Sequence, residues 1–316
     1  DTQSGLVGSE MCIRDRLSPV GFLQQQWSDE GTMSEPNIKK IMSKIKSFPS
    51  MPATGAKMLR MLQDPETSVD EIEDVLRHDP GLTGNVLKLA NSAYFGIPAK
   101  VSSVRQGVLL LGVRKLIQLV VASCVNSVMD KPVPGYDLPP GDLWRHSIAV
   151  SIAAEALVKD KNNIDAENIF TPALLHDIGK LILGHFVKDE LDDIEKIASK
   201  GVPYVIAENM VLGTDHAQVG AQVLTQWSFP QDVIEAVRWH HDPDYPKQVK
   251  ASVDVVYLSN LLCQTNGNRS GEDGGRLHDL SPTVIERLGI DVRQFEAISG
   301  NVAQWVDELA EALTFH

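Results

Sequence analysis

From Pro36 onward, apolar residues recur at helical spacing, and no stretch shows the alternation of a strand. Ser68 and Glu71 make a capping-box pair ahead of one amphipathic segment. Asp79-Pro80 supplies an N-cap and a proline at the first helical position. The segment after it carries Leu82, Val86, Leu89 and Ala93 on one face. Gly96 and Pro98 mark the exit between Asn91 and Pro98, and Val104, Val108 and Leu111 resume the period. Ser281-Pro282 repeats the Asp79-Pro80 start signal. The pattern predicts an all-α protein.

Breaks in this pattern divide the chain. Residues 1–32 have no period and read as a leader foreign to the fold, Cys12 included, with Met33 as a natural start. Residues 36–131 form a first helical lobe. Pro132 to Pro140, with four prolines and one glycine in nine residues, reads as a linker. Residues 141–267 form a second lobe, so the expected architecture is two packed helical lobes. Residues 268–316 comprise a polar, Gly-rich loop from Asn268 to Gly275 and helices at about 282–288 and 291–313 that pack back on the second lobe. No internal repeat is visible.

Composition narrows the function. The 316 residues are 43% hydrophobic, enough for a sizeable core. Lys and Arg number 29 against 42 Asp and Glu, and the net charge of -13 would repel a phosphate backbone, so no nucleic acid is expected as partner. A small phosphorylated ligand stays open, because a bound metal can reverse the local sign. Three cysteines without a CxxC suggest a reducing compartment. The most apolar run, Val108 to Val125, is interrupted by Arg114 and Lys115 and reads as one buried helix rather than a membrane span. With no secretory signal, a cytoplasmic location away from the membrane is expected.

Candidate chemistry is concentrated in histidines. His146 lies between Leu143 and Val150 on an apolar stripe. His176 follows Ile169 and Ala173 on another, beside Asp177 and ahead of Gly179, a helix-stop signal. His216 precedes Val219 and Val223 near a helix start; His240 and His241 end the helix of Val233 and Val237. A single inward histidine is usually hydrogen-bonded and structural. Several on separate helices each need a partner, and one shared cation satisfies them together. Imidazole with carboxylate suits Fe, Mn, Zn, Co or Ni. Adjacent His176 and Asp177 reach one ion only where the helix loosens. Lys180 reads either as a phosphate-binding residue or as a helix-terminal cation. Asp242 and Asp244 read as outer-shell partners or as a solvated turn. His185 reads as structural, and His78, His278 and His316 as surface groups. Walker, Rossmann and nucleophile-elbow patterns are missing.

Leu175-His176-Asp177-Ile178-Gly179-Lys180 resembles the signature of the HD superfamily of metal-dependent phosphohydrolases. Ser47-Phe48-Pro49-Ser50-Met51-Pro52, His78-Asp79-Pro80-Gly81-Leu82-Thr83, Leu89 through Gly96, and Leu109-Leu110-Leu111-Gly112-Val113 resemble the HDOD family of bacterial signalling outputs. The resemblance covers about Ile38 to Pro246 and implies an all-helical fold and a signalling role; many members have lost catalytic ligands. It assigns His146, His176 and Asp177 to the HD ligands. It assigns His216, His240 and His241 to the added ligands of the two-metal HD-GYP branch. There the aspartate bridges two metals and a hydroxide attacks phosphorus. It thereby casts Asp177 and Lys180 as catalytic residues and implies one or two divalent ions, Fe or Mn.

Two departures stand out. Asn260 occupies the place of the final HD aspartate, with Asp254 as a possible substitute, and the Gly-Tyr-Pro element is absent. The expectation is a regulatory output whose pocket binds metal or a phosphorylated ligand and whose partners are signalling proteins. An active phosphohydrolase or phosphodiesterase and a metal-free scaffold are the alternatives.

Overall fold

The computed structural model describes residues 35–313 apart from 63, 65, 162–163, 165–167, 247–249 and 266–279. Residues 1–32, Met33, Cys12, the 268–275 loop, His278 and His316 lie outside the described residues. Among those described there is no strand, only one isolated bridge between Val133 and Leu138. No described helix is long and apolar enough to cross a membrane.

The first helices are α1 (Glu35–Ser47), α2 (Ala53–Leu62), α3 (Val69–Arg77), α4 (Pro80–Ala90), α5 (Val104–Leu111) and α6 (Val113–Met129). Their starts follow the local chemistry. Ser68 and Glu71 close a reciprocal capping box on α3, and the Asp79 carboxylate accepts from Leu82 N at 2.9 Å to open α4. Helix α4 ends at Ala90, earlier than its apolar stripe suggests. The Asn91 side chain instead bonds Leu87 O and both polar groups of Val101, stapling the turn of Ala93–Phe95.

The apolar run from Val108 to Val125 is not one buried helix. Gly112, at φ 86°, breaks it into α5 and α6, a conformation open to glycine but strained for other residues. Leu109 and Leu110 consequently face outward, 78% and 46% exposed, while α6 from Leu116 onward is the buried axis packed by α2, α4 and α5.

The second axis is α7 (Asp142–Val158), covered by α8 (Phe170–Leu175), α14 (Ala251–Thr265) and α16 (Val292–Leu313). Around it run α9 (Lys180–Asp189), α10 (Leu191–Ala198), α11 (Tyr204–Leu212), α12 (His216–Gln226), α13 (Gln231–Trp239) and α15 (Pro282–Leu288). Helix α1 rests on α9 and α12, where Phe48 stacks on Trp227 and Trp227 Nε1 donates to Pro49 O at 3.0 Å. Helix α16 also touches α4 and the Ala93–Phe95 turn. One continuous core results.

A polar anchor crosses between the two axes. Lys115 of α6 pairs with Glu155 of α7, and Tyr94 OH donates to the other Glu155 oxygen at 3.1 Å. The Lys115 ammonium also lies 4.7 Å from the Phe170 ring centroid. Burial and the Glu155 charge push the Tyr94 phenol far above its ordinary value, so it remains a donor. Removing one member leaves the others poorly hydrated. Glu155→Ala should lower stability by about 3 kcal/mol, read as a shift of the urea midpoint; an unshifted midpoint would show that the anchor contributes nothing.

Candidate metal centre

The centre is assembled from helix ends. After α8, residues 176–179 rewind into i to i−3 bonding: Ile178 N donates to Leu175 O, and Lys180 N to Asp177 O. That tighter winding lets the adjacent His176 and Asp177 serve one site. Gly179 is not a left-handed stop; its φ is -64°. Its importance is steric, since a Cβ there would fall 1.9 Å from His216 O and 2.6 Å from Gly220 N. The turn after α8 therefore crosses the start of α12 backbone to backbone. His216 opens α12 behind Asp215, whose carboxylate accepts from Gln218 N at 2.8 Å. His240 and His241 follow the last residue of α13, and His146 projects inward from α7.

The five predicted ligand histidines gather around Asp177, the sixth. Its Oδ2 lies 3.2 Å from His176 Nε2, 3.6 Å from His146 Nε2 and 3.0 Å from Lys180 Nζ. Its Oδ1 lies 3.4 Å from His216 Nε2 and 3.7 Å from His240 Nε2. His216 Nε2 in turn is 2.9 Å from His241 Nε2, and His146 Nε2 is 3.2 Å from His176 Nε2. Two groups result, His146/His176/Asp177 and Asp177/His216/His240/His241, with Asp177 common to both. His176, Asp177, Lys180 and His216 have no exposed surface, His146 and His240 almost none, and His241 is partly exposed.

The hydrogen bonds behind the rings decide what faces inward. His176 Nδ1 is 2.8 Å from Ala173 O, and His240 Nδ1 is 2.7 Å from Val237 O. Carbonyls only accept, so each Nδ1 carries a proton and each ring turns its Nε2 toward Asp177. His216 Nδ1 meets the Glu208 carboxylate at 2.8 Å, with the same consequence. Three ring nitrogens thus face one carboxylate, the atoms through which imidazole and carboxylate would share a cation. Asp177 Oδ1 and His240 Nε2 are also buried without a hydrogen-bond partner. This donor set fits divalent metal.

Charge points the same way. Burial alone would raise the Asp177 carboxyl, yet His176 and Lys180 hold it well below the usual range. Burial, then neighbouring histidines, keeps His240 and His241 well below the ordinary imidazole value. Asp177 is therefore charged and those two rings neutral near neutral pH, the states that bind metal.

Other candidates lie elsewhere. Asp254 is held by Arg287 through two bonds of 2.8 and 2.6 Å, and belongs to neither group. Asp244 bonds Arg287 and Ser281. Asn260 is buried, and its Oδ1 has no hydrogen-bond partner. His185 and His78 are exposed, so His185 is a surface group rather than a structural one. Sequence reasoning missed Glu208 and Tyr136, which back His216. The available signal was Glu208 as the one charge in the apolar helix Tyr204–Leu212.

A helical fold around a buried His/Asp cluster defines a relative of the HD superfamily. The HDOD domain family model matches residues 48–243, more than half the chain, and the chain belongs to the HDOD family. An HDOD domain protein of unknown function from Geobacter sulfurreducens shares the fold at a TM-score of 0.74 and 23% identity, covering 89% of this chain and 98% of that one. A protein from Shewanella amazonensis, provisionally named a phosphohydrolase, aligns at a TM-score of 0.69 and 24% identity, covering 87% and 98%. At such identities the likeness speaks for the fold alone. An uncharacterized protein of Treponema pallidum is 24% identical over 225 residues, 70% of this chain. The chain spans only 43% of that relative's length.

The close crossing at Gly179 is testable. Gly179→Ala should cost more than about 3 kcal/mol, because the clash is with backbone rather than a movable side chain. Denaturation at the wild-type midpoint would contradict it.

Proposed function

We propose that this HDOD protein is a signal-transduction output whose buried His/Asp centre binds one or two divalent ions, iron or manganese, and through them a small phosphorylated ligand, with little turnover. The observation that carries the metal reading is the carboxylate of Asp177, faced on both oxygens by imidazole nitrogens. His146 and His176 would hold one side, and His216, His240 and His241 the other. When bound, the metal would supply Lewis acidity toward a phosphoryl oxygen. The chain's own contribution is to orient the five imidazoles, keep Asp177 ionised beside Lys180, and exclude water. Signalling proteins are the proposed partners, by family rather than by any particular surface.

Two features favour a regulatory over a catalytic role. Asn260 is neutral where an acid would bind a hard cation better, and Asp254 is already committed to Arg287. The centre is also almost fully enclosed, with His241 its partly exposed member. The second reading, an active phosphohydrolase, is favoured by the otherwise full set of five histidines, Asp177 and Lys180.

Elemental analysis of protein prepared without chelator should find one to two equivalents of iron or manganese. His176→Ala and Asp177→Ala should lower both that content and the unfolding temperature. Unchanged metal content in both variants would sink the metal reading. On the enzymatic reading, Asn260→Asp should raise phosphodiester hydrolysis; equal or lower activity at full metal loading would remove Asn260 as the missing ligand.

A further inference from the structure

Two buried side chains outside the ligand set meet beneath His216. Glu208 has no exposed surface, yet it is charged in type and sits on an apolar helix. It accepts from three donors: His216 N at 2.9 Å, His216 Nδ1 at 2.8 Å, and Tyr136 OH at 2.7 Å. The amino end of α12, where His216 sits, adds a favourable field. A carboxylate this deeply buried is expensive to desolvate, and these contacts are what offset it.

Tyr136 comes from the proline-rich segment between the lobes. It is 1% exposed, turns its ring edge toward His216, and lies under the Lys180 ammonium at 5.2 Å. Its neighbour Gly135 is pressed against α9 so closely that a Cβ would lie 2.2 Å from Gly184 O. The turn of Pro134–Tyr136 is therefore wedged in place, with Tyr136 delivered to the underside of the centre.

The other two histidines with assigned backing, His176 and His240, lean on main-chain carbonyls. His216 alone of these three leans on a carboxylate. A carboxylate behind the distal nitrogen fixes the tautomer, aims the ligating nitrogen and raises its basicity. We propose that Glu208 is the positioning residue for His216 as a metal ligand, that Tyr136 holds Glu208, and that the 132–140 segment is thereby coupled to one side of the centre only. The inference rests on the metal reading above.

The test is Mn²⁺ titration of the full chain, with free Mn²⁺ followed by electron paramagnetic resonance. Wild type is compared with Glu208→Gln, which keeps the size but removes the charge, and with Tyr136→Phe, which removes only the hydroxyl. Glu208→Gln should weaken one ion by about 10–100-fold and leave the other at wild-type affinity. Tyr136→Phe should weaken the same ion by less. If wild type takes a single ion, Glu208→Gln must weaken that one. A merely structural role would lower the unfolding midpoint of metal-free protein and weaken both ions alike, and that result overturns the proposal. So does wild-type affinity for every ion in both variants. Should Glu208→Gln fail to fold, Tyr136→Phe decides alone: selective weakening supports the proposal, and unchanged or uniform binding overturns it. No Mn²⁺ uptake by wild type would instead overturn the underlying metal reading, an outcome distinct from uptake that ignores Glu208.

Discussion

The Asp177 carboxylate sits in the interior with no exposed surface, and its oxygens look in two directions. An isolated charge in such a place is strongly disfavoured, so the surrounding chain must supply compensation. Lys180 supplies one positive charge from one turn away. The other candidate ligands are imidazoles, three of them turned with Nε2 inward by carbonyl or carboxylate partners behind the rings. The fold thus gathers six residues of metal-ligating type at one point. A cation would satisfy Asp177 Oδ1 and His240 Nε2, which the hydrogen-bond network leaves without a partner.

Bringing those residues together sets conditions far from the charge. The His176-Asp177 turn reaches His216 only because Gly179 allows backbone contact with the start of α12. The segment carrying Tyr136 reaches the underside only because Gly135 fits against Gly184 of α9. Helix α9 is therefore held by the turn that carries Asp177 at its start and by Gly135 of the Pro134–Tyr136 turn along its length. The anchor of Lys115, Glu155 and Tyr94 fixes α7, the helix of His146, to α6 at a separate point.

Much of this was legible in the chain itself, for identifiable reasons. Helix starts were readable because Ser68, Asp79 and Ser281 act on groups three residues away. The clustered histidines were readable because His146 and His176 lie on apolar stripes and His216, His240 and His241 keep helical spacing with valines, where a polar ring needs an explanation. What escaped depended on long-range packing. Gly179 looked like a helix stop, and only the crossing with α12 reveals its steric purpose. Tyr136 lay in a segment whose prolines suggested a plain connector. Glu208 precedes His216 by eight residues, with a helix end and a turn between them that no local spacing rule spans. The run from Val108 to Val125 misled because composition does not show that Gly112 adopts a positive φ.

The charge balance also bears on what such a centre can do. Two divalent ions would meet a single carboxylate, with an ammonium already beside it and Glu208 one residue removed, behind His216. Imidazoles that ligate as neutral rings would donate electron pairs but cancel no charge. In an enclosed site that excess would be poorly hydrated, so a loaded centre would favour an added anion. A bound phosphate group meets it and is then hard to release, because its departure restores the excess. On the proposed reading, tight anion retention would slow turnover and suit a sensor for phosphorylated ligands more than a hydrolase.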